Sequence, residues 1–181
     1  MPQGSNETQG EIQDVLVEAW VVNDAMNQLI LERLDLNAWH ARPPGRNGRD
    51  IAAIFAHVHN VRRKWLRLSA PQLKLPPPLD RTRCTPRQAG AALAESARRC
   101  AEMLAECLAG PRGGARQFRR DGWARPWPAG AAMFAYMLSH EAHHRGQVCM
   151  LAHQVGFPIK GGYELWAWEK LWKQCGFTRP R

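Results

Sequence analysis

The sequence predicts an all-α protein, a four-helix bundle with long connections and a short C-terminal helix. Two observations predict it. Apolar residues recur at three- and four-residue steps over four long segments, the period of a helix with one buried face. No segment shows the two-residue alternation of a half-buried strand. Helices without strands must bury their apolar stripes against one another, which makes a bundle the economical architecture.

The first helix runs from about Glu11 to Leu34, with Ile12, Val15, Leu16, Ala19, Val22, Met26, Leu29 and Ile30 marking its face. Pro43 and Pro44 in NAWHARPPGRNG cannot continue a helix. The second opens after Asp50, an N-cap residue, and Ile51, Ile54, Phe55, Val58, Val61, Trp65 and Leu68 mark its face. The proline-rich APQLKLPPPLD then leads to Thr85 and Pro86, a cap followed by proline at the first helical position. The third helix continues to about Ala109, where Gly110, Pro111, Gly113 and Gly114 stop it. A basic loop carrying Trp123 and Trp127 precedes the fourth helix, about Ala129 to Val155, which Gly156 and Pro158 end. YELWAWEKLWKQCGF makes the short C-terminal helix. The connections exceed the usual helix–helix length of about 2–8 residues, which hints at a role beyond joining.

At 181 residues the chain suits one domain, expected over residues 11–181 after a polar, disordered leader at 1–10. The absence of a long uncharged apolar run and of a signal-like N-terminus points to a cytoplasmic protein that does not enter the membrane. The five cysteines are odd in number and widely spaced, which disfavours a disulfide framework or a cysteine zinc site. Cys100 and Cys107 read as buried structural thiols. The net charge of +9 could draw an anionic small molecule or nucleic acid. Because the basic residues (Arg62, Arg63 and Lys64; Arg98 and Arg99; Arg112 to Arg125) are dispersed and carry no nucleic-acid motif, a solvated basic surface fits better.

The chemistry concentrates in SHEAHHRGQ, Ser139 to Gln147. Met133, Met137, His140, His144, Val148, Leu151 and Val155 form one seam of the fourth helix, and two histidines sit in it. At about 100° per residue, His140 and His144 lie about 40° apart and one turn from each other, so the pair can chelate one ion. His143 and His153 leave the seam. On the second helix His57 falls at the edge of the apolar face, while His59, about 200° away, faces solvent or another helix. His40 reads as surface. Imidazoles in an apolar seam are costly unless paired or bound to something, so His57, His140 and His144 are the candidate ligands.

Two metal readings compete. HEAHH matches the H-E-x-x-H pattern of zinc peptidases, with Glu141 as general base and Glu164, about 20 residues beyond His144, as a third ligand. Gly156, Phe157 and Pro158 interrupt that segment, and no strand is predicted that would hold a peptide substrate. The second reading starts from RDIAAIFAHVHNVRRKWL followed much later by MLSHEAHHRGQVCMLAHQVGFP. This combination, His57 within its apolar segment and H-x-x-x-H-R-G-Q near the end of the fourth helix, resembles the DinB-like superfamily of metal-binding four-helix bundles over about residues 11 to 155. The resemblance implies one divalent metal held by His57, His140 and His144, the same three that the seam selects. It also implies a homodimer, and it matches Arg145, Gly146 and Gln147, read as structural: Gly146 permitting close helix packing, Arg145 and Gln147 anchoring neighbouring helices.

Three neutral imidazoles leave a coordination position open, as in a catalytic site, and nitrogen ligation suits zinc, nickel or iron. What the resemblance implies is an enzyme that transfers a low-molecular-weight thiol to a small electrophile, or a hydrolase of a small substrate. A thiol cofactor of this kind is anionic and fits a basic surface. Glu141 and His143 are the candidates for proton transfer beside the metal. Trp65, Trp123 and Trp127 either line an entrance or pack. A metal-binding stress-response module without catalysis is the alternative of a different class.

Overall fold

A computed structural model describes residues 4–43, 45, 48–108 and 131–159. It contains α1 (Gly4–Arg33), α2 (Ile51–Ser69), α3 (Pro86–Leu108) and α4 (Ala131–Gln154), with a 3-10 turn at Leu36–Ala38. No strand occurs among the described residues, as the periodicity predicts. Helix α1 starts at Gly4 rather than near Glu11, so most of the stretch expected to be a disordered leader is helical. The predicted C-terminal helix, Glu164, Trp123, Trp127 and the basic loop around them lie outside the described residues.

The helix ends follow from local chemistry. Asp50 Oδ1 accepts the Ala53 N–H at 2.8 Å and so caps α2. Thr85 and Gln88 form a reciprocal capping box at the start of α3, the backbone N–H of each donating to the side chain of the other at 2.9 and 3.2 Å respectively. Helix α4 closes with a Schellman motif: Phe157 N–H donates to Ala152 O and Gly156 N–H to His153 O. Gly156 adopts φ +89°, a conformation that favours glycine.

The apolar core falls into two clusters. One joins Ile30, Leu34, Ile51, Phe55, Val58 and Leu93 to Val148 and Ala152. The other joins Trp20, Trp65, Leu66, Met103 and Leu104 to Met133 and Met137. Between them runs a buried polar layer centred on Arg62 and Glu141, both 0% exposed. Arg62 Nε and Nη2 donate to the two Glu141 oxygens at 2.6 and 2.7 Å, and Nη1 reaches Asp24 Oδ1 at 2.8 Å and Leu93 O at 2.8 Å. Asn23 and Asn27 each donate to Glu141 Oε2, at 2.6 and 2.8 Å. Trp20 lies under the guanidinium, 5.0 Å from its centre, and its indole N–H donates to Ala97 O. All four helices meet at this one ion pair.

This corrects two sequence expectations. Arg62 is not part of the solvated basic surface, and Glu141 does not stand beside the histidines as a free base. A one-residue step of about 100° carries Glu141 from the His140 face to the face that meets α1 and Arg62. Against the desolvation that pulls it down, Glu141 and then Asp24 hold Arg62 above its ordinary range. Arg98 and Arg99 behave as expected, forming surface pairs with Glu95 and Glu102 along α3. The described thiols are consistent with structural roles, Cys84 and Cys100 being buried and Cys107 pushed up to about 11 by burial.

The long connection after α2 is pinned to that helix. His59 bridges Ser96 on α3 at 3.1 Å and Pro77 O at 2.9 Å, which resolves its expected position toward another helix. Asn60 pairs with both the N–H and C=O of Leu79, and Arg63 donates to Pro76 O at 2.6 Å.

Two outcomes are expected. Glu141→Leu strands Arg62 in the core and lowers the unfolding free energy by about 3–5 kcal/mol in urea denaturation, while Arg62→Met/Glu141→Leu loses less than the sum of the single variants. A loss below about 1 kcal/mol would contradict the role given to the pair. Burial, foremost, depresses the His59 pKa below 6.5. Its contribution is therefore complete above the unfolded value of about 6.5 and is lost as pH falls through the lower folded value. Urea midpoints should drop as the pH goes from about 7 to 5, and His59→Gln should show a smaller drop.

Candidate metal centre

Helix α2 supplies His57 and helix α4 supplies His140 and His144, and their ligand atoms all lie within 4.8 Å of one another. His140 Nε2 and His144 Nε2 are 3.2 Å apart. Two nitrogens bound to one tetrahedral ion at about 2.0–2.1 Å would stand roughly 3.3 Å apart, so this pair has a chelating separation. The His57 ring centre is 4.6 Å from that of His144 and 5.5 Å from that of His140.

The electrostatics favour the neutral form of His57 and of His144. Burial, foremost, with Arg49 and the neighbouring histidines, pushes His57 down to about 3. Burial also lowers His144, and Gln147 partly offsets it. A neutral imidazole offers a lone pair without first losing a proton, the state that metal ligation requires. Gln147 decides which nitrogen does so: its Oε1 accepts from His144 Nδ1 at 2.7 Å, which fixes the proton there and leaves Nε2 facing the cluster. The donor set therefore fits a divalent ion.

Behind the cluster, Trp65 sits edge-on to His140 at 5.4 Å, and Tyr136 lies 6.0 Å from the same ring. Trp65 is 1% exposed, so it forms a floor rather than an entrance. A cavity of about 390 Å³ opens beside His57, bounded by Arg49, Asn60, Leu79, Asp80 and Arg81. A larger one, about 540 Å³, lies between α1 and α4 among mostly apolar side chains such as Val15, Val22, Met26 and Leu138, and includes none of the three histidines.

The structure thus brings together the three histidines that the sequence singled out. His143 is exposed, its ring centre 5.1 Å from that of its chain neighbour His144. Glu141, both of its oxygens engaged by Arg62, does not face the cluster. Arg145 anchors α4 to α1 through Asn23 Oδ1 at 2.7 Å, the part expected of it. Gln147 holds His144 instead of a neighbouring helix, and its spacing of i+3 from a ligand was the available signal. A Cβ at Gly146 would meet nothing within 4 Å among the described residues, so close packing against them does not explain that glycine.

Fold and cluster define the class: a helical bundle with a three-histidine group able to hold a metal ion. The chain belongs to the DinB family, whose profile matches residues 2–173. No curated protein and no solved structure gives a significant match. No described helix is long and apolar enough to cross a membrane.

Elemental analysis tests the centre. Near-stoichiometric metal is expected in the purified protein and in Glu164→Ala, and loss in His57→Ala, His140→Ala and His144→Ala. Retention in His57→Ala with loss in Glu164→Ala would instead reinstate the peptidase arrangement. Gln147→Leu should weaken metal affinity by about 10–100-fold while leaving the helical content unchanged.

Proposed function

We propose that this protein is a divalent-metal-dependent enzyme that transfers a low-molecular-weight thiol to a small electrophile. The observation that carries this reading is the placement of neutral His57 at once in the three-histidine cluster and in the wall of a small-molecule-sized cavity. A structural metal site is closed by its protein ligands, whereas three ligands beside a cavity match the open pattern of catalytic sites.

Zinc, nickel or iron held by His57, His140 and His144 would supply Lewis-acid activation of a thiol or of water. The remaining tasks fall to the protein. Gln147 orients His144, and the Trp65–Tyr136 floor limits solvent behind His140. In this reading His143, exposed next to His144, takes a proton from the thiol and passes it to solvent. Glu141 is left out of the chemistry, since its carboxylate is bound by Arg62 and two asparagines. The reading includes a homodimer, which the family resemblance implies, and a cytoplasmic location.

Hydrolysis of a small ester at the same centre is the second reading, because the same ion activates water as readily as a thiol. The test is turnover of an electrophile with a panel of small thiols, alongside an ester panel, using protein reconstituted with each metal. Activity should vanish with a chelator, return with metal and be absent in His144→Ala. His143→Gln should lower the rate by about 10²-fold or more while retaining metal. Stoichiometric metal without metal-dependent turnover in either panel would make the protein a non-catalytic metal-binding module.

A further inference from the structure

The cavity beside His57 contains more polar chemistry than a three-histidine centre requires. Four polar side chains besides His57 line it: Arg49, Asn60, Asp80 and Arg81. Two of these are already committed. Asn60 uses its amide to donate to Leu79 O at 2.8 Å and its oxygen to accept the Leu79 N–H at 3.1 Å, so it builds the wall. Asp80 Oδ1 accepts from both the N–H and the hydroxyl of Thr82, each at 2.7 Å. The guanidinium groups of Arg49 and Arg81 are not engaged by any carboxylate among the described residues, although salt bridges occupy Arg62, Arg98 and Arg99. Two arginines against one hydrogen-bonded carboxylate leave the lining net positive around a neutral His57.

We infer that this cavity is the substrate subsite of the metal centre and that Arg49 and Arg81 bind an oxyanion, a carboxylate or phosphate, on the molecule that reacts there. The inference rests on the reading of the three histidines as the place of chemistry and adds to it the charge class of the substrate. Guanidinium groups suit this role because their planar donor forks match carboxylate and phosphate oxygens in pairs. The cavity, at about 390 Å³, has the size of a small-molecule site. Arg49 is the nearer anchor, since its charge reaches both His57 and His144. It also borders a second, smaller hollow of about 130 Å³ formed with Arg42, Leu151 and Gln154, so it stands between two openings. Leu79, Asp80 and Arg81 line it from the connection after α2, whose Pro76, Pro77 and Leu79 are tied to α2 by Arg63, His59 and Asn60. An anion held by these arginines would sit in the cavity that His57 also lines.

The test is isothermal titration of the full-length, zinc-loaded protein at fixed ionic strength. The probes are succinate, inorganic phosphate and the uncharged isostere succinamide. Saturable binding of at least one anion and none of succinamide is expected. Affinity should fall about tenfold or more in Arg49→Gln and further in Arg49→Gln/Arg81→Gln, with zinc content unchanged. Arg98→Gln on α3, remote in sequence and paired with Glu95 and Glu102, should bind as the parent does. Whichever anion binds more tightly tells a carboxylate substrate from a phosphorylated one. Anion binding that survives the double substitution would place the anion on the metal and overturn the inference, as would failure of the parent to bind either anion. A parent that holds no zinc but binds anions through the arginines would refute the metal reading alone.

Discussion

The buried pairing of Arg62 with Glu141 is the constraint on which the rest of the arrangement depends. Each is a full charge removed from water, a placement that costs several kcal/mol unless the partner sits in good geometry. The fold meets that condition from all sides, with Asp24, Asn23 and Asn27 from α1, the Leu93 carbonyl from α3, and the two charges from α2 and α4. Such a layer tolerates little sliding of one helix past another. Because Glu141 follows His140 directly, fixing the carboxylate fixes the register of the histidine pair on α4. Because Arg62 lies little more than a turn beyond His57, the same lock sets the height of the ligand on α2. The histidine cluster is in this sense a by-product of an ion pair that never touches it.

Much of this was legible in the sequence. The helices were, because each combines a strong apolar stripe with a cap or breaker that acts locally: Asp50, Thr85 with Pro86, Gly156. The three ligands were, because an i, i+4 histidine pair in an apolar seam is expensive without an occupant. The polar layer was not, for a charged side chain in a lone sequence is weighed first as a surface residue. The signal existed all the same. Phe55, His59, Arg62 and Leu66 make a second buried stripe on α2, and Phe134, Glu141, Arg145 and Ala152 do so on α4. A positive charge on one core stripe and a negative one on another are each improbable alone and mutually explanatory together. The role of Gln147 was hidden differently, since whether it holds a ligand or a neighbouring helix depends on a rotamer that spacing does not specify.

The site also shows how one helix divides its labour by angle. Around α2, His57 faces the ion site, Arg62 faces the core, and His59, Asn60 and Arg63 face the connection that walls the cavity. The donors of the candidate centre therefore rest on rigid backbone, while the cavity is closed by a segment with no regular structure that hydrogen bonds hold in place. Precision at the histidines and variability at the cavity wall are thereby separated.

That crowding of duties on α2 has a consequence for how such a chain can vary in length. One residue inserted between His57 and Arg62 would turn everything beyond it by about 100°. It would take the arginine out of the ion pair or the histidine out of the cluster, and no side-chain rotation recovers both. Insertions in the connections before or after α2 carry only the small entropy of a longer loop. Chains built on this plan should therefore differ freely in the lengths of their connections and hardly at all in the spacing from His57 to Arg62. Counting residues across that short interval becomes a way to recognise the same internal lock in a sequence whose other letters have changed.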